Sequence, residues 1–138
     1  MNKIVKPFKG LDNIEFGTPL KQVQELVNIH ESTVTNKYLK ETKVFGEKLA
    51  YVFNNDILVT FEMKYQEGIY FNDVDIFNVK DIDELLKGFK IASKRHVTQV
   101  TELGFILFGF KKKDITEREL WFYSKDMLVE FETFLDVV

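Results

Sequence analysis

The chain has 138 residues, of which 45% are hydrophobic and 30% are charged, so it is long enough to bury the core of one domain of ordinary size. Its 19 basic and 22 acidic residues give a net charge of −3, which excludes the strong positive excess typical of nucleic-acid-binding proteins. The absence of cysteine excludes disulfides, thiol nucleophiles and cysteine-based metal sites, and two histidines leave little room for a histidine-rich metal centre.

The first half of the chain predicts one helix followed by strands. Thr18 suits the N-cap of a helix and Pro19 its first position, and the apolar residues after them recur at helical spacing: Leu20, Val23, Leu26 and Val27. The helix should end near residues 28–31. The hydrophobic period then changes to two, which predicts strands over residues 38–45, 49–53, 57–64 and 69–77.

The second half predicts the same order of elements. Asp81 suits the N-cap position of a helix, Glu84 completes a capping box, and Gly88 weakens the end of that helix. Strands are predicted over residues 98–103, 105–110, 119–123 and 127–134. Because the connections have the length of hairpin turns, we expect antiparallel strands with the helices on one face, which is an α+β fold.

An internal similarity indicates that the two halves are copies of one unit. Residues 51–63 and 121–133 share five identities at an offset of 70. Similarity at a fixed period is typical of a duplicated unit, here of roughly 65 residues, although two amphipathic hairpins can also resemble each other by chance. We therefore expect a single domain over residues 1–138 with similar halves, about 11–75 and 76–138, in which each half contributes a helix and about four antiparallel strands to a continuous or paired sheet.

The turn inside each matching hairpin predicts which side chains share a face. We place a two-residue turn at Asn54–Asn55, because Asn tolerates the left-handed conformation that a type I′ turn requires. This register puts Val52 and Phe61 on the helix side and directs another set away from the helices: Tyr51, Phe53, Leu58, Glu62, Trp121, Tyr123, Leu128, Glu130 and Glu132. Rings and carboxylates on one exposed face are typical of a recognition surface. A turn longer by one residue would reverse the faces, and a terminal segment or a second copy of the chain could cover the rings.

No motif predicts catalysis. Ser93 and His96 lie close together in sequence, but the chain lacks a Gly-x-Ser-x-Gly turn, and its glycines form no phosphate-binding loop. Asp73 and Asp75 alternate along one predicted strand, where they can hold a cation, protect a sheet edge or add negative charge for a basic partner. We expect no enzyme activity, no catalytic residue, no metal and no cofactor.

The segment from Leu11 to Leu26 resembles the start of a repeat in two groups of bacterial domains. Its Gly17–Thr18 turn and amphipathic helix are similar to those of β-lactamase-inhibitor-like domains and of outer-membrane-assembly lipoprotein-like domains. The tandem plan of a helix and four strands resembles the former, a family that presents an aromatic-rich sheet face to a partner protein. The chain lacks the secretion signal and the cysteines of secreted members, and its acidic, aromatic-rich character is similar to that of bacterial immunity proteins, which neutralise toxins.

These observations predict a non-enzymatic protein-binding module of inhibitor or immunity type. The aromatic rings would anchor the partner, and Glu62, Glu130 and Glu132, together with Asp73 and Asp75, would orient a basic partner such as a toxin domain. Two alternatives are a self-associating domain whose aromatic face forms a homodimer and a domain with a small-ligand pocket between helices and sheet. No apolar run approaches the ~20 residues that span a bilayer and no leader pattern begins the sequence, so we expect a cytoplasmic protein that binds neither membrane nor nucleic acid.

Overall fold

The computed structural model describes residues 2–138, which form an α+β fold of two sheets and three short helices. In chain order the elements are β1 (Lys3–Lys6), β2 (Gly10–Leu11), β3 (Ile14–Glu15), α1 (Leu20–Val27), β4 (Thr33–Asn36), β5 (Glu41–Phe45), β6 (Leu49–Asn54), β7 (Ile57–Lys64), β8 (Ile69–Phe71), β9 (Val74–Asp75), α2 (Ile82–Leu85), β10 (Ala92–Lys94), β11 (Val97–Val100), β12 (Phe105–Phe108), β13 (Glu119–Tyr123) and α3 (Leu128–Phe131). Short 3-10 turns flank α3 and follow β9. None of the helices within residues 2–138 is long and apolar enough to cross a membrane.

The larger sheet has eight antiparallel strands in the order β10-β11-β12-β13-β7-β6-β5-β4. Strands β4 to β7 and strands β10 to β13 each follow one another as a meander, and the two meanders join where β13 pairs with β7. In this junction Phe122 lies opposite Phe61, and their rings stack with centroids 4.7 Å apart. The smaller sheet has the order β3-β2-β1-β8-β9, and β1 pairs with β8 in parallel.

Hydrogen bonds mark where the first two helices begin. Helix α1 begins after Pro19, and the backbone N–H of Leu20 donates to the carbonyl of Asp56 at 2.8 Å, which ties the helix to the β6–β7 turn. Thr18 is not the cap that we predicted, because its hydroxyl donates to the carbonyl of Glu15 instead. The predicted cap of α2 is confirmed: the Asp81 carboxylate accepts from the N–H groups of Asp83 and Glu84.

The main core lies between the larger sheet, the smaller sheet and the first two helices. Val23 of α1 and Ile82 of α2 belong to one buried cluster with the side chains that the larger sheet directs toward them, which we call the inner face. The inner-face residues of the central strands are Leu49, Tyr51, Phe53, Leu58, Phe61, Met63, Phe105, Leu107, Leu120 and Phe122.

A second cluster covers part of the opposite, outer face of the sheet. The C-terminal segment, residues 125–138, packs its apolar side chains against β11, β12 and β13. Phe131 lies over Tyr123 at a centroid distance of 4.6 Å, and Phe134 lies over Trp121 at 5.8 Å. Our prediction of a strand over residues 127–134 was therefore wrong, because this segment is helical and packs across the sheet.

The hairpin register also differs from our prediction. The two left-handed turn residues are Asn55 and Asp56, one position later than expected, and a bulge near Val52 shifts the pairing again. Tyr51 therefore lies opposite Phe61, and Phe53 lies opposite Leu58. Tyr51, Phe53 and Leu58 share one face, as predicted, and the bulge brings Phe61 onto the same face. That face is the inner face, whereas we expected Tyr51, Phe53 and Leu58 to point away from the helices.

Other differences concern strands that are shorter than their hydrophobic pattern. The predicted strand over residues 69–77 is divided into β8 and β9 by the left-handed turn residues Asn72 and Asp73. The predicted strand over residues 38–45 begins only at Glu41, since residues 37–40 form the turn that joins it to β4. Strand β7 spans residues 57–64, as predicted.

Candidate functional site

Three of the predicted contact residues lie in the core. Phe53 and Leu58 have no solvent-exposed surface, and Tyr51 is nearly as buried. Burial raises the pKa of the Tyr51 phenol, which therefore stays protonated at neutral pH. These side chains stabilise the fold and are not accessible to a protein partner.

Three further predicted residues point to the outer face but are already engaged. Trp121 is half-buried, and its indole N–H donates to the Glu119 carboxylate at 2.6 Å. Tyr123 is buried beneath the C-terminal segment, where desolvation raises the pKa of its phenol. Glu62 forms an ion pair with Lys43 at 2.9 Å. The aromatic surface that we predicted from the sequence is thus covered or used internally.

The remaining predicted residues are spread over separate parts of the molecule. Leu128, Glu130 and Glu132 lie on or beside α3, where Leu128 packs on the outer face and both carboxylates are exposed. Asp75 accepts hydrogen bonds from the Gly68 backbone and the Asn78 side chain, and Asp73 is an exposed turn residue. The structure therefore does not bring the predicted rings and carboxylates together on one surface.

The structure instead exposes apolar side chains at the turn between β4 and β5. We define the hairpin tip as residues 36–40. Tyr38 is 97% exposed and Leu39 is 65% exposed, and Val34 on the adjoining edge strand is 66% exposed. Large apolar groups grouped on a surface in this way are typical of a contact site. The sequence signal was available as an apolar pair between two lysines, Lys37 and Lys40, but we interpreted Tyr38 and Leu39 as the start of a strand.

Hydrogen bonds hold the hairpin tip in one shape. The Asn36 side-chain oxygen accepts from the Leu39 N–H at 3.0 Å, as is typical of Asn at the start of a turn. Lys40 has a left-handed φ of 52°, and its carbonyl accepts from the Asn55 N–H at 3.1 Å. The tip is therefore braced against the neighbouring β6–β7 turn, and Tyr38 projects from an ordered support.

Two concave regions lie near the first half of the large sheet. A groove of about 400 Å³ runs beside the hairpin tip and is lined by Val34, Lys37, Lys40, Thr42, Asn55 and Asp56. A larger cleft of about 630 Å³ lies between the end of α1, the β2–β3 turn and the β5–β6 turn. Tyr51 and Leu26 line that cleft together with Lys3 and Lys48.

The described part of the chain shows no group of three or more His, Cys, Asp or Glu side chains placed to hold a metal ion. No protein-family model, curated protein or solved structure matches this chain.

Proposed function

We propose that this chain is a non-enzymatic protein-binding module of inhibitor or immunity type, and that the hairpin tip is its principal contact with the partner. The observation that carries the proposal is the nearly complete exposure of Tyr38 on a tip that is braced by hydrogen bonds. A tyrosine loses little rotamer freedom on binding, and an ordered support reduces the entropy cost further. Tyr38 with Leu39 therefore suits an anchor that enters an apolar pocket.

The charges near the tip define the partner more closely. Lys37 and Lys40 flank the anchor, so carboxylates at the rim of the receiving pocket would complement them. The C-terminal segment begins at the same end of the sheet, because the Asn54 amide donates to the Met127 sulfur at 3.4 Å. It carries exposed carboxylates that would complement a basic region elsewhere on the same partner, such as a toxin domain: Asp126, Glu130, Glu132 and Asp136.

A tandem origin of the fold is part of this proposal. Each half contains a short hairpin, a helix and a four-stranded meander, and the meanders meet at the β7–β13 pair. The hairpin sequences Leu11-Asp-Asn-Ile-Glu-Phe16 and Phe71-Asn-Asp-Val-Asp-Ile76 share one pattern at an offset of 60. This alignment replaces the one at an offset of 70, because residues 57–63 form a strand whereas residues 127–133 are helical. The repeated plan supports the likeness to tandem inhibitor domains.

The first test replaces the anchor. A photo-crosslinking phenylalanine analogue at position 38 should form an adduct with the partner in the native cell, whereas the same analogue at Phe45 should not. Phe45 is the control because it is 56% exposed but lies at the opposite end of β5.

With the partner identified, Tyr38→Ala should weaken its binding by about 30-fold, which corresponds to ~2 kcal/mol. Equal affinity of the wild type and Tyr38→Ala would show that the tip is not the contact.

The cleft beside α1 favours a second function, the binding of a small ligand. Tyr51 is 5% exposed and lines the cleft, so its phenol borders the space that a ligand would occupy. A volume of about 630 Å³ falls within the usual range of ligand pockets, roughly 300–1,000 Å³. A ligand with an apolar body and one acceptor group would fill this cleft and accept from the hydroxyl.

Anilinonaphthalene sulfonate, a probe with an apolar ring system and an acceptor sulfonate, tests this second function. We expect its binding to perturb the amide resonances of the cleft residues, and Tyr51→Phe to weaken it by about fivefold, since one hydrogen bond of about 1 kcal/mol is removed. Val34→Ser, which alters the separate groove, should leave the affinity unchanged. Resonance changes confined to residues outside the cleft would contradict this function.

A further inference from the structure

Arg118 is a buried positive charge without an acidic partner. The residue is 6% exposed and directly precedes β13. One terminal nitrogen, Nη1, donates to the carbonyls of Phe77 and Val79, both at 2.9 Å, and Nη2 donates to the Phe110 carbonyl at 3.3 Å. Within residues 2–138 no carboxylate lies within 4 Å of the guanidinium, and its buried Nε–H has no hydrogen-bond acceptor.

The carbonyl dipoles compensate the charge of Arg118 only in part. Burial lowers the pKa of the guanidinium, which shows that its surroundings disfavour the charged form. Arginine nevertheless remains protonated at neutral pH, because its ordinary pKa is far above that range. A buried cation that lacks a counter-ion favours the binding of an anion nearby.

Lysines surround the depression that Arg118 lines. Its volume is about 350 Å³, and its walls are formed by residues 80–83, 110–113 and Arg118. Five of these residues are basic and two are acidic: Lys80, Lys111, Lys112, Lys113 and Arg118 against Asp81 and Asp83. The local excess of three positive charges is notable in a chain whose net charge is −3.

Neither acidic residue of the depression is free to neutralise Arg118. The Asp81 carboxylate accepts from two N–H groups at the start of α2, and Asp83 pairs with Lys111 at 3.2 Å. Lys112 contacts Glu117 at 3.7 Å, whereas Lys80 and Lys113 form no ion pair within the described part of the chain. Basic residues on three segments therefore line one small depression, and only part of their charge is paired within residues 2–138.

We propose that this depression, the Arg118 site, binds a small oxyanion of the phosphate type. Arginine and lysine side chains contributed by several segments suit an anion with three or four acceptor oxygens. The depression has room for one phosphate group with a small substituent. The overall negative charge of the chain disfavours a nucleic-acid polyanion as the occupant.

Nuclear magnetic resonance titration of the intact chain tests the Arg118 site. Inorganic phosphate, phenyl phosphate and acetate are added separately at constant ionic strength. We expect saturable shifts of the amides of residues 80–83 and 110–113 with both phosphates and weaker binding of acetate. Tighter binding of phenyl phosphate than of inorganic phosphate would identify a phosphate ester as the ligand, and equal binding would identify the phosphate group alone. Equal binding of acetate would overturn the phosphate assignment.

Two matched pairs of substitutions distinguish binding at the Arg118 site from a general effect of the net charge. Lys80→Gln with Lys113→Gln should weaken phosphate binding by at least about tenfold, because two charge-assisted interactions are removed. Lys94→Gln with Arg95→Gln removes the same charge from exposed residues outside the depression and should have no such effect. The test replaces lysines and not Arg118, because the hydrogen bonds of Arg118 to three carbonyls also stabilise the fold. Shifts that do not saturate, or equal weakening by both pairs, would disprove the site.

Discussion

Phe53→Ala should lower the free energy of unfolding by about 3–5 kcal/mol, the usual cost of removing a buried phenylalanine ring. Phe53 has no exposed surface and lies opposite Leu58 on the inner face, among side chains contributed by α1 and both sheets. Loss of the ring leaves a cavity there, since strands held in register on both sides cannot close around it. Denaturation by urea, followed by tryptophan fluorescence and circular dichroism, measures the change.

Phe45→Ala is the matched control for this prediction. Phe45 lies on the neighbouring strand β5, but its side chain points to the outer face and is 56% exposed. We expect its removal to change the free energy of unfolding by no more than about 0.5 kcal/mol. Similar small losses from both substitutions would mean that Phe53 faces solvent, as the sequence-based register had it, and that the inner face is assigned to the wrong residues.

Gly10→Ala should destabilise the protein on the order of 4 kcal/mol, because backbone strain and overpacking each cost about 1–3 kcal/mol. Gly10 has a φ of 153° in β2, where it pairs with Lys6 on one side and Glu15 on the other. A Cβ atom at this position would overlap the carbonyl oxygen of Ile14 and lie 2.8 Å from the Cα atom of Glu15. Both neighbours are backbone atoms of β3, so relief requires the hairpin to separate.

Gly17→Ala provides the comparison, since Gly17 also has a positive φ, of 92°, but no atom lies within 4 Å of the added Cβ. We expect a loss of only about 1–2 kcal/mol from backbone strain. Thermal and urea unfolding of both variants distinguishes the two costs. Equal stability of the two variants would mean that close packing of β2 on β3 contributes nothing to the cost at Gly10.

Local signals made several elements predictable from the sequence. The β-branched and aromatic run from Ile57 to Lys64 has strand propensity and ends at polar residues, and β7 has the predicted bounds. The Asp81 cap was predictable because its carboxylate accepts from the N–H groups two and three residues later, so the cap needs no partner from elsewhere in the fold. The α+β class and the antiparallel character of the large sheet follow from the short connections.

The facing of the β6–β7 hairpin was not predictable from local signals. Asn54, Asn55 and Asp56 all tolerate the left-handed conformation, so the turn position was ambiguous by one residue. The bulge beside Val52, where β7 has one residue more than β6, was not among our predictions. A two-residue turn one position later keeps Tyr51, Phe53 and Leu58 on one face, as predicted, so the error lay in which face packs against the helices, and that choice depends on tertiary packing.

The C-terminal segment carried a helical signal that strand propensity obscured. Its apolar residues recur three or four positions apart: Met127, Leu128, Phe131, Phe134, Leu135 and Val138. This spacing fits a helical segment with one face on a sheet, which is how residues 125–138 cover Trp121 and Tyr123. The hairpin tip was missed for a related reason, since Tyr38 and Leu39 favour strands but lie in the turn formed by residues 37–40.

The pairing of β13 with β7 sets the order in which this chain can complete its structure during translation. Strand β7 ends at Lys64, but its partner β13 can pair with it only after residues 119–123 have left the ribosome. Until then the nascent first meander has an open strand edge and an apolar inner face, both of which can recruit another unfinished chain. Emergence of β13 closes that edge, so the first meander stays unprotected while residues 65–118 are synthesised.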